Sequence, residues 1–443
     1  MDFAHSPRAQ ALRLQLEAFM QRYLLPYNAA WHRSVQGGIY PPPFVEDLKA
    51  LAREEGLWNL FLPSLGAKQP GTRLCNLDYA PLAEIMGRLP WAAEVFNCSA
   101  PDTGNIELLQ RFATPEQRAQ WLVPLLDGRI RSAFAMSEPD VASSDPTNLQ
   151  TSVRREGGQL VLNGRKWFIT GAAHPHCKLL IVMCRNTDAA ADTKAQDSSA
   201  SEAAGNPHHQ HSMLLVPLDS PGVQVLRNIA VVHHLAPEGH CEILLRDVRV
   251  PAAHLLGGGA AWGKGFAMAQ ARLGPGRVHH CMRAIGQCEL ALALATERTL
   301  ERQAFGKHLS DFSNVQDWIA ESRIEIDQAR LLVLHAAWLL DQGSCEAAQL
   351  RAQVAAIKVV AARLQTRVVD RAMQVFGAMG LSPDTPLAYF FTWGRALHLM
   401  DGPDEVHLRS VARHELAQAR TRLGASAAYF TTPEQLQALP RIR

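Results

Sequence analysis

The chain reads as an α+β protein of three consecutive zones, and three observations predict it. Apolar residues recur with a helical period up to about residue 130; short alternating segments follow from 131 to about 252; the helical period returns from about 262 to 421. Domains are therefore expected at 1–130, 131–252 and 253–443, and 443 residues suffice for two or three cores.

In the first zone, PRAQALRLQLEAFMQRYLLP and PPFVEDLKALAREEGL place apolar residues three and four apart, giving each helix one dry face. TPEQRAQWLVPLLDG opens with Thr114, Pro115 and Glu116, a helix-start signal. The second zone holds seven short runs: SAFAMSEP, LQTSVRREG, QLVLNGRKWFITG, CKLLIVMCRN, SMLLVPLDS, GVQVLRNI and CEILLRDVRVP. Turn residues separate them, which predicts a compact antiparallel β domain. Inside it, residues 186–212 are small and polar and read as a flexible surface insertion. In the third zone, GRVHHCMRAIGQCELALALATERTLERQ predicts one long helix beginning at Gly276, and the stretches 313–343 and 344–377 predict two more. Long amphipathic helices joined by short loops form an up-down bundle. No internal repeat occurs at solenoid periods.

An apolar fraction of 47% and a charged fraction of 19% are those of a globular chain with a large core. A formal net charge of +2 supplies no field for nucleic acid or a membrane surface. The first residues carry Asp2 and Glu17 and lack a basic start followed by an apolar run, so no signal peptide is read; no stretch is apolar enough to span a bilayer. Eight cysteines are scattered without a C-x-x-C pair, which fits a reducing, cytoplasmic location.

Some motifs are decoys. GGAAWGKG (258–265) contains G-x-x-x-x-G-K, but Gly265 stands where a phosphate loop needs Ser or Thr, so a flexible loop is expected. His208, His209 and His211 cluster in the low-complexity insertion, where nothing fixes a ligand geometry. The dinucleotide fingerprint G-x-G-x-x-G after a strand is missing.

LMDGPDEVH (399–407) carries more information. Gly402 and Pro403 end one helix and start another, with Pro403 suited to the first helical position, Asp404 and Glu405 to the first turn and Asp401 near the N-cap. Asp404 and His407 could share a face, but no further ligand has fitting spacing, so no metal is expected.

FAMSEPDVASSDPTNLQTSVRREGGQLVLNGRKWFITGAA (134–173), ERQAFGK (301–307), QVFGAMGL (374–381) and MDGPDEVH (400–407), taken together and in order, resemble the acyl-CoA dehydrogenase family. RLGPGRVHHCMRAIG is similar to the branch containing family members 10 and 11. The resemblance implies that family's helical domain, β domain and four-helix bundle. It also implies non-covalent FAD, an acyl-CoA substrate, fatty acid β-oxidation, a homotetramer or homodimer, and an electron-transfer flavoprotein as acceptor. Carried over, Phe134, Met136, Ser137, Phe168 and Thr170 would line the isoalloxazine, the Thr170 hydroxyl near its N5/O4 edge. Ser144, or its neighbour Ser143, would touch CoA or FAD. Arg302 and Phe305 would reach a neighbouring subunit's FAD, as would Gln374 and Gly377 at its adenine half. Arg277, just before the long helix, would contact substrate; Gly402 would flank it; Asp404 and Glu405 would meet FAD. Of His279 and His280, one could approach the acyl pocket, although a core or surface place is the commoner one for a helix histidine.

Asp401 takes the place of the glutamate that many members use as base, and Pro403 that of a threonine. The resemblance thus implies that Asp401 removes the α-proton while hydride leaves the β-carbon for flavin N5. The ribityl hydroxyl and the Asp401 amide would hydrogen-bond the thioester carbonyl, and a trans-2-enoyl-CoA would result. Alternatives on the same fold are an acyl-CoA or nitroalkane oxidase, or a flavin-containing nucleic-acid-binding homologue, against which the small net charge argues.

Overall fold

The computed structural model describes residues 5–187 and 207–434. The first zone is helical: α1 (Pro7–Phe19), α2 (Asn28–Gln36), α3 (Phe44–Glu54), α4 (Asn76–Gly87), α5 (Ala92–Val95), α6 (Asp102–Phe112), α7 (Pro115–Gln117) and α8 (Val123–Leu126). Thr114 caps α7 as its sequence predicts: its hydroxyl accepts the Gln117 amide while the Gln117 side chain accepts the Thr114 amide. Helix α4 has buried side chains all round, among them Tyr79, Leu82, Ile85 and Met86. It is the central helix of its zone.

The seven predicted runs become seven strands: β1 (Arg131–Ala135), β2 (Ser152–Glu156), β3 (Gln159–Thr170), β4 (Cys177–Asn186), β5 (His211–Pro217), β6 (Val223–Asn228) and β7 (His240–Pro251). The sheet order is β1-β4-β2-β3-β7-β6, with β5 on β4. The sheet is mixed, not antiparallel as the alternation predicted. β1 runs parallel to β4 with Phe134 opposite Ile181, and β2 runs parallel to β4 with Val153 opposite Asn186; the other pairs are antiparallel. Alternation fixes which face a side chain takes but not the direction of the neighbouring strand. Strand β4 is dry on both faces. Leu179, Ile181 and Met183 join the core shared with the helices, and Leu180, Val182 and Cys184 the sheet's own core. This explains its continuous apolar run.

Most of the expected insertion, residues 188–206, lies outside the described residues. His211 departs from the solvated-loop expectation: it opens β5 and is fully buried, while His208 and His209 are exposed.

The third zone contains α9 (Gly265–Glu301), α10 (Ser313–Gln342), α11 (Ala347–Phe376), α12 (Leu387–Leu397) and α13 (Asp404–Thr421). Helices α9, α10, α11 and α13 make the bundle, with α11 touching each of the others. The long helix starts at Gly265, earlier than Gly276 as predicted, and runs through Pro275. Proline removes one backbone donor there, but Met268 and Ala269 on the first half are buried against neighbouring elements, which keeps the helix continuous. Arg277 is accordingly inside the helix, not before it. GGAAWGKG forms a short turn at Gly259–Ala261 and the start of α9, with no strand leading into it as a phosphate loop would need.

A buried polar knot ties the helical zone to β1. Asp102 Oδ1 accepts the Ser132 amide (2.7 Å) and hydroxyl (2.5 Å), and its Oδ2 pairs with Arg131 Nε (2.5 Å). Arg131 also approaches Glu94 at 3.6 Å. Burial alone would raise Glu94, but Arg131, His174 and Lys49 outweigh it and hold the carboxyl well below its ordinary range. This knot fixes where β1 starts, and with it the path of the chain toward Phe134 and Met136.

Helices α4 and α9 cross with their backbones nearly touching. A Cβ on Gly286 would lie 1.9 Å from the Glu84 carbonyl oxygen, and one on Gly87 would lie 2.3 Å from that of Arg283. Gly286→Ala is expected to cost about 1–3 kcal/mol by forcing the helices apart, read as a lower thermal midpoint. An unchanged midpoint would contradict so tight a crossing.

Candidate active site

The loop from α12 to α13 carries Asp401 in a left-handed backbone (φ 53°), followed by Gly402 at φ 102°. A left-handed aspartate is uncommon and has to be held in place. Two groups hold it by its carbonyl oxygen. Arg277 on α9 donates from Nη2 (2.9 Å) and Nε (3.2 Å), and His407 on α13 donates from Nε2 (3.2 Å). Gly402 is required there, because a Cβ would meet His407 Nε2 at 2.9 Å. Helix α13 begins at Asp404 with Pro403 as its N-cap residue and no side-chain cap. The expected capping role for Asp401 is therefore not found, and Pro403 stands one place before the first helical position.

The Asp401 carboxylate has His280 Nε2 at 3.4 Å from Oδ2, and its side chain keeps 25% of its surface open. Burial alone would raise its pKa. His280, Arg272, Arg277 and Lys358 together reverse that and hold it below the ordinary aspartate value, so it is ionised at neutral pH. Lys358 on α11 is fully buried and donates to the Leu397 carbonyl. Arg272 donates to Asn105 Oδ1 at 3.0 Å and lies 4.1 Å over the Phe134 ring, linking this charge cluster to β1. Burial pushes Glu107, on α6 facing Arg272, up to about 8.

The other expected site residues fall in two further groups. Strand β3 breaks register with β7 between Lys166 and Ile169, which leaves Phe168 at φ 51° and 42% exposed. The Thr170 hydroxyl shares a 3.0 Å hydrogen bond with His240 Nδ1. Across from them Met136 and Ser137 are half-buried; the Met136 carbonyl accepts from Lys166 Nζ (2.9 Å) and that of Ser137 accepts the Trp167 amide (3.0 Å). Lys166 is itself buried against Glu138 at 2.8 Å. The Ser143 hydroxyl accepts the Glu138 amide (3.2 Å) and shapes this turn, which leaves Ser144, exposed, as the serine facing outward. Asp404 Oδ2 accepts from His398 Nδ1 at 2.6 Å and its Oδ1 is buried without a protein partner, while Glu405 is exposed.

The last group lies where α9 ends. Arg302 is exposed there, and Phe305, at φ 51° and 97% exposed, tips the turn between Gln303–Ala304 and Lys307–His308. Phe305 and Gln374 line one surface hollow with Trp318, and Gly377, at φ 61° with open space where a Cβ would stand, ends α11 beside it. An aromatic ring so exposed on a strained backbone is costly for a chain standing alone, so it fits a group that arrives from outside. The half-exposed apolar edge of Phe134, Met136 and Phe168 beside the Thr170 hydroxyl likewise fits a flat heteroaromatic ring with polar edges.

Arg272, Lys358 and His407 were not singled out as active-site residues by sequence reasoning. His280 takes the less favoured of its two expected places and lies 3.4 Å from Asp401, one turn from Arg277. His279 does follow the expectation, packed edge-on against Tyr79 in the core. Among the described residues, no group of three His, Cys, Asp or Glu could hold a metal, and no helix is long and apolar enough to cross a membrane.

Comparison with known proteins follows this geometry. Family models match for the acyl-CoA dehydrogenase N-terminal domain over residues 6–129, middle domain over 133–248 and C-terminal domain over 263–416. The chain is 51% identical over 433 residues to the probable acyl-CoA dehydrogenase FadE2 of Mycobacterium tuberculosis, covering 96% of this chain and all of that one. It is 49% identical to mouse acyl-CoA dehydrogenase family member 10, covering 93% of this chain but only 37% of that longer protein. A solved Mycobacterium abscessus structure, assigned provisionally as an acyl-CoA dehydrogenase, superposes with a TM-score of 0.84 at 45% identity, covering 94% of this chain and 99% of that one.

The buried histidines make a pH prediction. Burial, with His234, pushes His240 down to about 4, and burial, with Arg277 and Lys358, does the same to His407. The unfolded chain protonates both near 6.5, so it binds more protons than the folded chain between those values. Stability is therefore full above about pH 6.5 and falls as pH drops toward 4, by up to about 3 kcal/mol per histidine. His407→Gln keeps a donor for the Asp401 carbonyl but does not titrate. It should flatten the pH dependence of the thermal midpoint across that window, and an unchanged slope would contradict the assignment.

Proposed function

The chain belongs to the acyl-CoA dehydrogenase family of FAD-dependent oxidoreductases, and from that premise we propose that it converts an acyl-CoA to the trans-2-enoyl-CoA with Asp401 as the base. The observation that carries this reading is the Asp401 carboxylate itself: ionised, a quarter open, and fixed on a strained backbone by Arg277 and His407. The α C–H of a thioester is a weak acid, so its removal needs a carboxylate at a set distance and donors on the carbonyl. Asp401 supplies the carboxylate, and its own amide is the proposed donor to the thioester oxygen. Aspartate is one methylene shorter than glutamate. The left-handed turn at Asp401 and Gly402 supports the reading as the backbone feature by which a shorter side chain would be brought to the substrate. His280, Arg272, Arg277 and Lys358 keep the base charged although it is largely buried.

FAD, when bound, supplies the acceptor for the hydride that leaves the β-carbon. Phe134, Met136, Ser137, Phe168 and Thr170 would hold its ring non-covalently, with Ser144, Asp404 and Glu405 near its polar parts. Arg302, Phe305, Gln374 and Gly377 would serve the FAD of a neighbouring subunit, which requires a homodimer or homotetramer. The exposure of Phe305 supports that assembly. An electron-transfer flavoprotein as electron acceptor, a place in fatty acid β-oxidation and a cytoplasmic location complete the reading.

The test is anaerobic flavin bleaching across a panel of straight and branched acyl-CoAs. Asp401→Asn should retain FAD and acyl-CoA binding but lose reduction by about 10²–10⁴-fold or more. Asp401→Glu should keep partial activity. Reduction by Asp401→Asn at close to the wild-type rate would overturn the assignment.

A further inference from the structure

We propose that His280 is a positioning residue for the base: its Nε2–H, made the permanent donor by Arg283 at the other ring nitrogen, holds one Asp401 oxygen and leaves the other to take the substrate proton. The inference rests on Asp401 being the base and adds what orients that base.

The tautomer follows from hydrogen-bond valence. Arg283 Nη2 lies 3.2 Å from His280 Nδ1. A guanidinium only donates, so Nδ1 must carry the lone pair. The one proton of the neutral ring then sits on Nε2, which lies 3.4 Å from Asp401 Oδ2, a close polar contact longer than a formed hydrogen bond that a small rotation of the carboxylate would shorten. The ring is kept neutral, because burial and the Arg283 charge favour the uncharged form more than Asp401 opposes them. Arg272 on α9 and Lys358 on α11 also face His280 and push the same way.

The same geometry excludes a proton relay. To accept the proton that Asp401 gains, His280 would need a free lone pair facing Asp401, and its only lone pair is turned to Arg283. In the step the α C–H bond breaks, an Asp401 O–H bond forms, and His280 keeps the proton it has. Arg277 and His407 fix the backbone of Asp401, whereas neither touches its carboxylate oxygens; His280 is the group placed to set the carboxylate's rotation. Arg272 and Lys358 contribute charge to the carboxylate, while Arg272 Nε donates to Asn105 and Lys358 donates to the Leu397 carbonyl. On α13, Asp404 is turned to His398. On α6, Glu107 faces Arg272.

The test compares His280→Gln, whose amide N–H can occupy the place of Nε2–H without titrating, with His280→Leu, which offers no donor. His280→Asn, polar but too short to reach Asp401, replaces the leucine variant should that fail to fold. The first readout is the titration of Asp401 by pH-difference infrared spectroscopy, its carboxyl signal identified as the one that Asp401→Asn removes. The second is the pH profile of flavin reduction by acyl-CoA. Loss of this one polar contact to the carboxylate oxygens should raise the Asp401 titration by up to about one pH unit in His280→Leu, while His280→Gln stays close to wild type. Reduction by His280→Leu should fall by about tenfold or more at every pH from 6 to 8.5, because Asp401 stays ionised over that range and what is lost is its orientation. A wild-type titration in His280→Leu would overturn the proposal. Equal damage in His280→Gln would also overturn it, because only a titrating imidazole would then serve. Asp401→Asn separates the two claims: if it still reduces flavin, the base assignment fails, whereas the infrared titration reports the pair whether or not Asp401 is the base.

Discussion

The site depends on how one carbonyl oxygen is held. Asp401 sits in a backbone conformation that non-glycine residues avoid, and that conformation persists because Arg277 and His407 both donate to its carbonyl. The two donors come from different helices, α9 and α13, so the loop is clamped between them. The clamp needs Gly402, since any side chain there would displace His407. Four groups with positive or donor character then outweigh the burial of the carboxylate, which stays charged in surroundings that would otherwise neutralise it. Strain, burial and charge are thus three aspects of one arrangement.

Helix α9 carries most of the arrangement. It brings Arg272, Arg277, His280 and Arg283 to one region, and its glycine crossing with α4 fixes how deep it sits. Through Arg272 over the Phe134 ring it also touches the first strand, whose position is set by Asp102 and Arg131. A displacement of the helical zone against the sheet would therefore be felt at both Phe134 and Asp401. This is why three regions far apart in sequence have to fold as a unit before a site exists.

Much of this was legible in the sequence, and the rest was hidden for definite reasons. The order helical, β, helical and all seven strands follow from periodicity, because burial of one face imposes it directly. The parallel pairing of β1 and β2 with β4 was not legible, since alternation is the same in either direction. Helix α9 ran through Pro275 because tertiary packing outweighed a local signal. Asp401 was legible as a candidate, but the role of His280 was not: one histidine among 18 is distinguished only when folding places it 3.4 Å from a carboxylate.

The clamp assigns Arg277 to the loop, whereas the family resemblance assigns it to the substrate, and one measurement separates them. Stopped-flow flavin reduction by Arg277→Met over a range of acyl-CoA concentrations yields both the reduction rate at saturation and the apparent Kd. A residue that holds the base in place should lower the saturating rate by about tenfold or more while leaving Kd nearly unchanged. A raised Kd with a wild-type saturating rate would mean that Arg277 binds substrate, and that the left-handed turn of Asp401 stands without it.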